Sequence, residues 1–548
     1  EMIKKTKLLY LMTLLIIISA RLLSPQMPLF SQPAYGQQKY TYHFPLFLKL
    51  DPFSSSSSYY ITTLNNPHIN NLGCQLGTRD KNTPGAQDNV VILAFGYPRC
   101  FNSGGYGANL FGYGPATLSD VSNAVKQFAL GYYNCTGSDK KSNLVIGVGT
   151  SNFPGVADSC ATEEMGRAHG AAWSAMVKGL NQWALDLGMF HQVQIYGAND
   201  MEIGWNTPSW SRAWLSGFEQ VSGNLMLHFG DAAGCPYDDH PNWSCGTSAY
   251  PEWTQEDVWY LSYGAPSALP LPLIYLTNGV HAKQWAHLSR YSVLKHGYRM
   301  DFSGVFTQWA YCQQFGWCNK TDNTPDMAHQ QLTFELSKSP STAQTILWTT
   351  DIRWIMQNEF SNANEGESME EIKTHPAQER SDSLAFALLE PGLSPTMRAS
   401  LAAKQYAYQT IAEMAATSMG RAAPKETLSA QIATDSRQIP FQSGIIERGE
   451  MLGLPYGTKL NQVWQSITEG GYLQVGAGAA ADNLSQGVLY ILLTSPDHTR
   501  FESTLIEAPA GCASLSILNE SNGFLSIQSA NGCQLEFDLA NWAWSISP

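Results

Sequence analysis

Two acidic residues, one position apart, close a short alternating run in the segment Gln194-Ile-Tyr-Gly-Ala-Asn-Asp-Met-Glu-Ile-Gly-Trp205. If strand alternation carries through Glu202, Val193 and Ile195 face one way, and Tyr196, Ala198, Asp200 and Glu202 face the other. Two carboxyls so close cannot both ionise without cost, so one holds its proton nearer neutrality. A protonated carboxyl beside an ionised one is what cleavage of a glycosidic bond requires of its acid. Tyr196 and Trp205 flank the pair with rings suited to lie against a substrate.

Other candidates for the same neighbourhood fall at the ends of apolar runs: His228 and Asp231, Tyr275, Gln308 and Trp309, and Asp351. An Asp after a strand is more often a helix cap or turn residue. Asp231 stands out as a third catalytic candidate, since it sits at a strand tip just before the loop from Cys235 to Cys245. That loop also carries Asp238, Asp239 and His240, an arrangement open to a metal but more often simply that of a solvated stapled loop. Neither metal nor cofactor is expected. The chain has no Gly-x-Ser-x-Gly elbow, His-Glu-x-x-His or phosphate-binding Gly loop, which disfavours serine hydrolase, zinc protease and nucleotide chemistry.

The elements that would position these residues alternate between β-rich and helical patterns. Strands are predicted at Val90 to Gly96, Leu144 to Thr150, Val193 to Ala198, Leu225 to Gly230, Val258 to Ser262, Leu271 to Leu276, Gly304 to Trp309 and Thr345 to Thr350. Eight is the strand number of a closed parallel barrel. Helices are predicted over Leu118 to Tyr133, Met165 to Leu187 and Ala282 to His296, and after Thr207, an N-cap followed by Pro208. In that last helix Trp210, Ala213, Trp214, Gly217 and Phe218 form one apolar face and read as core. The fold class is therefore α/β, a (β/α)8 TIM-type barrel. A helical stretch over Thr396 to Ser418 follows, then a small C-terminal β-sandwich with Asn-Gly turns at Asn522 and Asn531. In a barrel, catalytic groups gather at the C-terminal ends of the strands, where Asp200 and Glu202 would lie.

The Asp-x-Glu pair closing a central strand resembles that of glycoside hydrolase families 18 and 25, the chitinases and lysozyme-like muramidases, and of related glycoside-hydrolase-like barrels. The region from about Cys74 to Trp354 also looks like a group of uncharacterised exported bacterial proteins with the segment Gly-x-x-Asp-x-Glu-x-Gly-Trp-Asn, here Gly197 to Asn206. The resemblance implies that Glu202 is the acid and Asp200 its partner. The chain departs from family 18 in having Gly197, Ala198 and Asn199 where further Asp residues stand. It departs from family 25 in having Leu93-Ala-Phe95 at a strand end that carries an Asp there. These departures imply a different nucleophile, or a barrel that binds without cutting.

Composition sets the setting. Lys4, Lys5 and Lys7 precede an apolar run from Leu8 to Ala20 that Arg21 ends short of a bilayer span, the order of parts of a signal peptide cleaved near Ala34 to Gly36. The expected organisation is a signal peptide over 1–36, an extension over 37–73, the barrel over 74–356, an acidic linker over 357–392, a helical connector over 393–470 and a β-rich domain over 471–548. Ten cysteines in an exported chain favour disulfides, with Cys235 to Cys245, Cys312 to Cys318 and Cys512 to Cys533 as local pairs. For Cys74, Cys100, Cys135 and Cys160 all three pairings remain open. A formal charge of −13 excludes a nucleic-acid footprint, and no stable membrane insertion is expected after signal cleavage. With 16 Trp and 25 Tyr, the chain has rings for sugar contacts as well as for a core. The expected function is a secreted glycoside hydrolase acting on a cell-wall or extracellular polysaccharide, including peptidoglycan. Its rivals are a non-catalytic carbohydrate- or wall-binding barrel and an extracellular structural or assembly protein.

Overall fold

The computed structural model describes residues 54–545 apart from 65, 103, 112–113, 138–140, 154–159, 222, 238–243, 316–317, 319–321, 356–373, 420–442, 447–458, 469–470, 481–482 and 496–500. The expected signal peptide, the acidic run from Asn362 to Glu371, and Asp238, Asp239 and His240 lie outside the described residues.

Eight parallel strands form one sheet: β1 (Ser54–Tyr60), β2 (Asp88–Ala94), β3 (Asn143–Ser151), β4 (Val193–Asp200), β5 (Met226–His228), β6 (Ala268–Pro270), β7 (Gly304–Thr307) and β8 (Trp348–Trp354). They follow one another in chain order, and β8 returns to pair with β1. The remaining seam, between β6 and β7, is drawn together by backbone bonds from Ser303 N–H to Pro270 O (2.8 Å), Phe306 N–H to Pro272 O (2.9 Å) and Ile274 N–H to Phe306 O (2.9 Å). The result is a nearly closed barrel.

The strands carry the composition that two covered faces demand. All nine residues of β3 are buried. Its Gly147 points into the barrel, where an added Cβ would come within 2.4 Å of Ile92 and 3.1 Å of Ala198. That contact sets the inward face: Ile92 on β2, Gly147 and Gly149 on β3, Ala198 and Asp200 on β4, Leu227 on β5, and, by register, Ser58 and Tyr60 on β1 and Thr350 and Trp354 on β8.

Three of the strand expectations need correction. The run Leu271 to Leu276 is not a strand but an extended segment with isolated bridges at Leu273 and Leu276, and the strand before it is the shorter Ala268–Pro270. Val258 to Ser262 is not a strand: Thr254 and Asp257 form a capping box that starts the helix Gln255–Trp259, which continues as a π-helical turn through Gly264. The missing eighth strand is β1, in the segment expected to be an N-terminal extension. Its serines look like a linker, but their hydroxyls join it to its neighbours. Ser58 Oγ lies 2.7 Å from Thr350 Oγ1 and accepts the Ile92 N–H at 2.8 Å, and Ser56 Oγ donates to Val90 O. Side chains thus replace backbone ladder bonds where β1 and β2 splay, since these two strands pair only at Tyr59 and Tyr60.

The outer helices include α1 (Asn66–Asn82), α2 (Leu118–Cys135), α3 (Glu163–Asp186), α4 (Pro208–Phe218), α5 (Val280–His296) and α6 (Pro325–Ser337). The layer is thinner than in a regular (β/α)8 barrel, since β5 and β6 are joined only by the short helix over 255–264. Thr207 caps α4 as expected, accepting the Trp210 N–H at 3.2 Å, and Trp210 and Trp214 are buried. His169 on α3 knits this layer together. Its Nδ1 accepts from Trp214 Nε1 (3.0 Å), its Nε2 therefore carries the proton and donates to Gly107 O (2.7 Å), and its ring stacks on Trp173. Burial lowers its pKa to about 4, so it stays neutral. His169→Phe keeps the stack but strands one buried acceptor and one buried donor. A loss of roughly 2 kcal/mol or more is expected, read as a Tm several degrees lower at neutral pH. An unchanged Tm would show that neighbouring groups re-pair.

Five disulfides are present: Cys74–Cys135, Cys100–Cys160, Cys235–Cys245, Cys312–Cys318 and Cys512–Cys533. Three are the expected local pairs, and the first two join α1 to α2 and the β2 exit to the start of α3. Among the described residues no helix is long and apolar enough to cross a membrane.

After β8, α7 (Pro376–Ala387) and α8 (Pro395–Met419) form a hairpin. Ser400 Oγ donates to Tyr263 O (3.1 Å), and Lys404 Nζ donates to Tyr263 O (2.5 Å) and Ala265 O (3.0 Å), so α8 is fastened to the π-helical turn. A five-stranded antiparallel sheet spanning 444–507 and a four-stranded one spanning 515–545 follow. They share a core that includes Trp464, Val475 and Ile491 from the first and Ile517, Ile527 and Phe537 from the second. The Asn522-Gly523 turn has both residues at positive φ, as a two-residue hairpin requires. The other face of the larger sheet places Val463, Tyr490 and Leu492 against Trp354, Tyr60 and Tyr311 at the barrel rim.

Candidate active site

At the C-terminal end of β3 and β4, Ser151 lies opposite Asp200. The next residue, Asn152, is the joint of the site. Its N–H donates to Asp200 O (3.1 Å), its Nδ2 donates to Glu202 O (3.0 Å) and Ser211 Oγ (3.1 Å), and its Oδ1 accepts the Glu202 N–H (3.0 Å). Its carbonyl in turn accepts from Asn206 Nδ2 (2.9 Å). A buried amide with all its groups used in this way holds a loop as firmly as a strand would. The strand ends at Asp200, two residues sooner than alternation through Glu202 requires. Glu202 is thus positioned by the Asn152 amide, while Met201 and Ile203 enter the core and Trp205 N–H turns back to Glu202 O (3.2 Å). Both Asp200 and Glu202 are partly exposed.

Asp231 lies one strand over. Past β5, Phe229 N–H bonds to Asn199 O (3.1 Å) and Leu273 N–H to Gly230 O (3.1 Å). Gly230 rests on the backbone of Met201 so closely that a Cβ would approach Met201 O to 2.3 Å. Asp231 and Glu202 therefore each follow one member of a touching pair. Burial pushes the Asp231 carboxyl up to about 6, against the opposing effect of the Ala233 N–H, which it accepts at 3.2 Å. A carboxyl in that range can hold or release a proton near neutrality. A wall of rings stands beside the loop, with Phe153 edge-on to both Tyr97 (5.6 Å) and Trp205 (5.7 Å).

The other candidates lie elsewhere. His228 is opposite Asn199 on the outward face of the sheet, buried and edge-on to Trp285 of α5, and burial lowers its pKa to about 4. Asp351 also faces outward, where it accepts from Thr307 Oγ1 (2.8 Å) and from Ala310 N–H (2.9 Å) at the start of the helix Trp309–Phe315. Burial raises its pKa, and those two hydrogen bonds oppose the rise. Tyr275 is buried with its ring edge-on to His281 at 4.4 Å. Gln308 follows β7 on the inward side in register with Gly304 and Phe306, and Trp309 opens the next helix, both partly exposed. Tyr196 faces inward but low in the barrel, at a cavity on the opposite end. The structure thus places Asp200, Glu202 and Trp205 at and past the tip of β4 and Asp231 past the tip of the adjacent β5, and adds Asn152, Phe153 and Tyr97 beside the β4 loop, which sequence reasoning passed over. Asn152 had one available signal, a polar residue directly after the longest apolar strand run.

Among the described residues no cluster of three or more His, Cys, Asp or Glu is placed to hold a metal ion. A cavity of about 770 Å³ opens at the N-terminal ends of the strands. Carboxylates at the C-terminal end are the better candidates for chemistry, because barrel loops there can close on a substrate.

No family model matches the chain, and no curated protein is similar to it. Among solved structures it is similar to Rhizobium etli pyruvate carboxylase T882A crystallized without acetyl coenzyme-A, at 10% identity over 83% of this chain and 52% of that one, with a TM-score of 0.14. The chain thus spans about half of that enzyme, and a likeness at this score carries no argument.

Proposed function

We propose that this protein is an exported glycoside hydrolase acting on a cell-wall or extracellular polysaccharide, with Glu202 as general acid and Asp200 and Asp231 as its carboxylate partners. The observation that carries the reading is the placement of Asp200 and Glu202 past the tip of one strand and of Asp231, with its pKa raised by burial to about 6, past the tip of the next, with the rings of Phe153 and Trp205 beside the first of them. An acid that keeps its proton near neutrality next to an ionised carboxylate is the requirement of glycosidic cleavage. Aromatic rings at the rim supply faces for sugars to stack on. Five disulfides support an oxidising destination.

The non-catalytic binding barrel is the second reading. It is favoured by the loss of Asp351 and His228 from the mouth, which leaves few polar groups to orient a sugar. Incubation of the disulfide-bonded protein with chitin, peptidoglycan and plant and microbial glucans distinguishes the two. New reducing ends, at turnover within the usual range of about 1–10³ s⁻¹, support the hydrolase. Retention on a polymer without release supports the binding barrel.

A further inference from the structure

The cavity at the N-terminal end of the barrel, roofed by the α7–α8 hairpin, is unrelated to the carboxylates at the mouth. Its floor is the first turn of the barrel interior, where Gln194 and Tyr196 of β4 and the start of β8 at Trp348 meet. Its roof supplies Arg380 from α7 and Tyr408 from α8. Most charges around it are already matched: Arg299 pairs with Asp301 at 3.1 Å, and Lys404 has backbone carbonyls for its ammonium.

Beside the exposed Glu379 on the same wall stands Arg380. Its guanidinium lies 5.8 Å from the centre of the Trp348 ring, and its Nη2 is buried with no hydrogen-bond partner among the described residues. It is close enough to Tyr196 and Tyr408 to act electrostatically on both phenols. Both tyrosines are buried and line the cavity, and neither hydroxyl has a hydrogen-bond partner among the described residues. A guanidinium and two phenolic O–H groups line one space and can all donate to what occupies it, on a wall that also carries Asp88, Asp301 and Glu379. Leaving the buried Nη2 of this half-buried guanidinium without an acceptor is costly, and the best acceptor for it is an anionic one.

We infer that this cavity is a second ligand site, which holds the oxyanion group of a small molecule on Arg380, Tyr196 and Tyr408. A planar fork of N–H donors suits a carboxylate or phosphate in bidentate fashion. The volume of about 770 Å³ is that of ordinary small-molecule pockets and exceeds a bare inorganic ion. Of the two sources of an oxyanion, the size favours an organic carboxylate such as a uronic acid.

Calorimetric titration of the full chain with D-glucuronate, inorganic phosphate and neutral D-glucose tests it, each up to about 10 mM. Glucuronate is expected to bind, glucose to show no heat of binding, and Arg380→Met to weaken glucuronate at least about tenfold, the size of a charge-assisted contact. Phosphate binding that is equally lost in Arg380→Met would keep the site and assign it to phosphate. If Arg380→Met fails to fold, the double variant Tyr196→Phe, Tyr408→Phe removes the hydroxyls alone and is expected to weaken binding similarly. Glu202→Gln should leave it unchanged, which separates this site from the mouth. Absence of binding by either anion, or binding that is indifferent to both variants in folded protein, would overturn the inference.

Discussion

Asp231→Asn is expected to give a protein more stable than the parent at pH 8 and far less active. The carboxyl is buried, and burial lifts its pKa from 3.8 to about 6. The folded state therefore keeps the proton up to about pH 6, whereas the unfolded chain gives it up near 3.8. For this group, stability is greatest below pH 4, declines as pH rises from 4 to 6, and stays reduced above that. At about 1.4 kcal/mol per pH unit, the ionised carboxylate costs the native state roughly 3 kcal/mol at neutral pH. Asn keeps the oxygen that accepts the Ala233 N–H and removes the charge. The melting curves of parent and variant should nearly coincide at pH 4 and separate as pH rises to 8, with the variant higher. Retention of a destabilising charge at a strand tip is what a functional site does and a structural one avoids. Turnover should fall by ~10²-fold or more if that carboxylate assists the acid. A variant less stable than the parent at pH 8 would mean the carboxylate holds the loop together, and the catalytic role would go.

How much of this was legible in the sequence depended on whether one strand sufficed to decide it. The apolar runs of β2, β3 and β4 announce themselves because both faces are covered. In β1 the signal is inverted, since Ser56 and Ser58 spend their hydroxyls on β2 and β8, and serines of that kind read as linker until the neighbours are known. The helix over 255–264 was misread from the apolar residues Val258 to Leu261, although Thr254 and Asp257 already spelled a capping box. Site residues divide in the same way. Asp200 is inward because Ala198 is, which alternation within one strand decides. His228 and Asp351 depend on which face of a short run turns to the core, and that is set by register: His228 lies opposite Asn199, and Asp351 opposite Ser57 and Thr307. Asn152 acts on residues fifty positions away, and no local pattern records such a bond.

The second large effect is expected at Glu202. Substitution by Gln keeps the shape of the side chain and leaves the Asn152 bonds in place, since Asn152 holds Glu202 through its backbone N–H and carbonyl. What Gln lacks is a proton that a leaving oxygen can take. General acid catalysis is worth ~10²- to 10⁴-fold, so release of reducing ends should fall by that factor while polymer binding and Tm stay near the parent's. Asp200→Asn should also slow the reaction, because a neutral amide no longer supplies the charge that keeps a nearby acid protonated. The competing account makes the pair a helix cap or the partner of Arg212. Both jobs have other holders: Thr207 caps α4, and Arg212 bonds to Asp257 at 2.7 Å. Loss of stability is therefore the less expected consequence of Glu202→Gln, and loss of rate the more expected one. A folded Glu202→Gln protein that turns over polymer like the parent would remove Glu202 from the acid's role. The buried carboxyl of Asp231 would then be the next group to test as the proton donor.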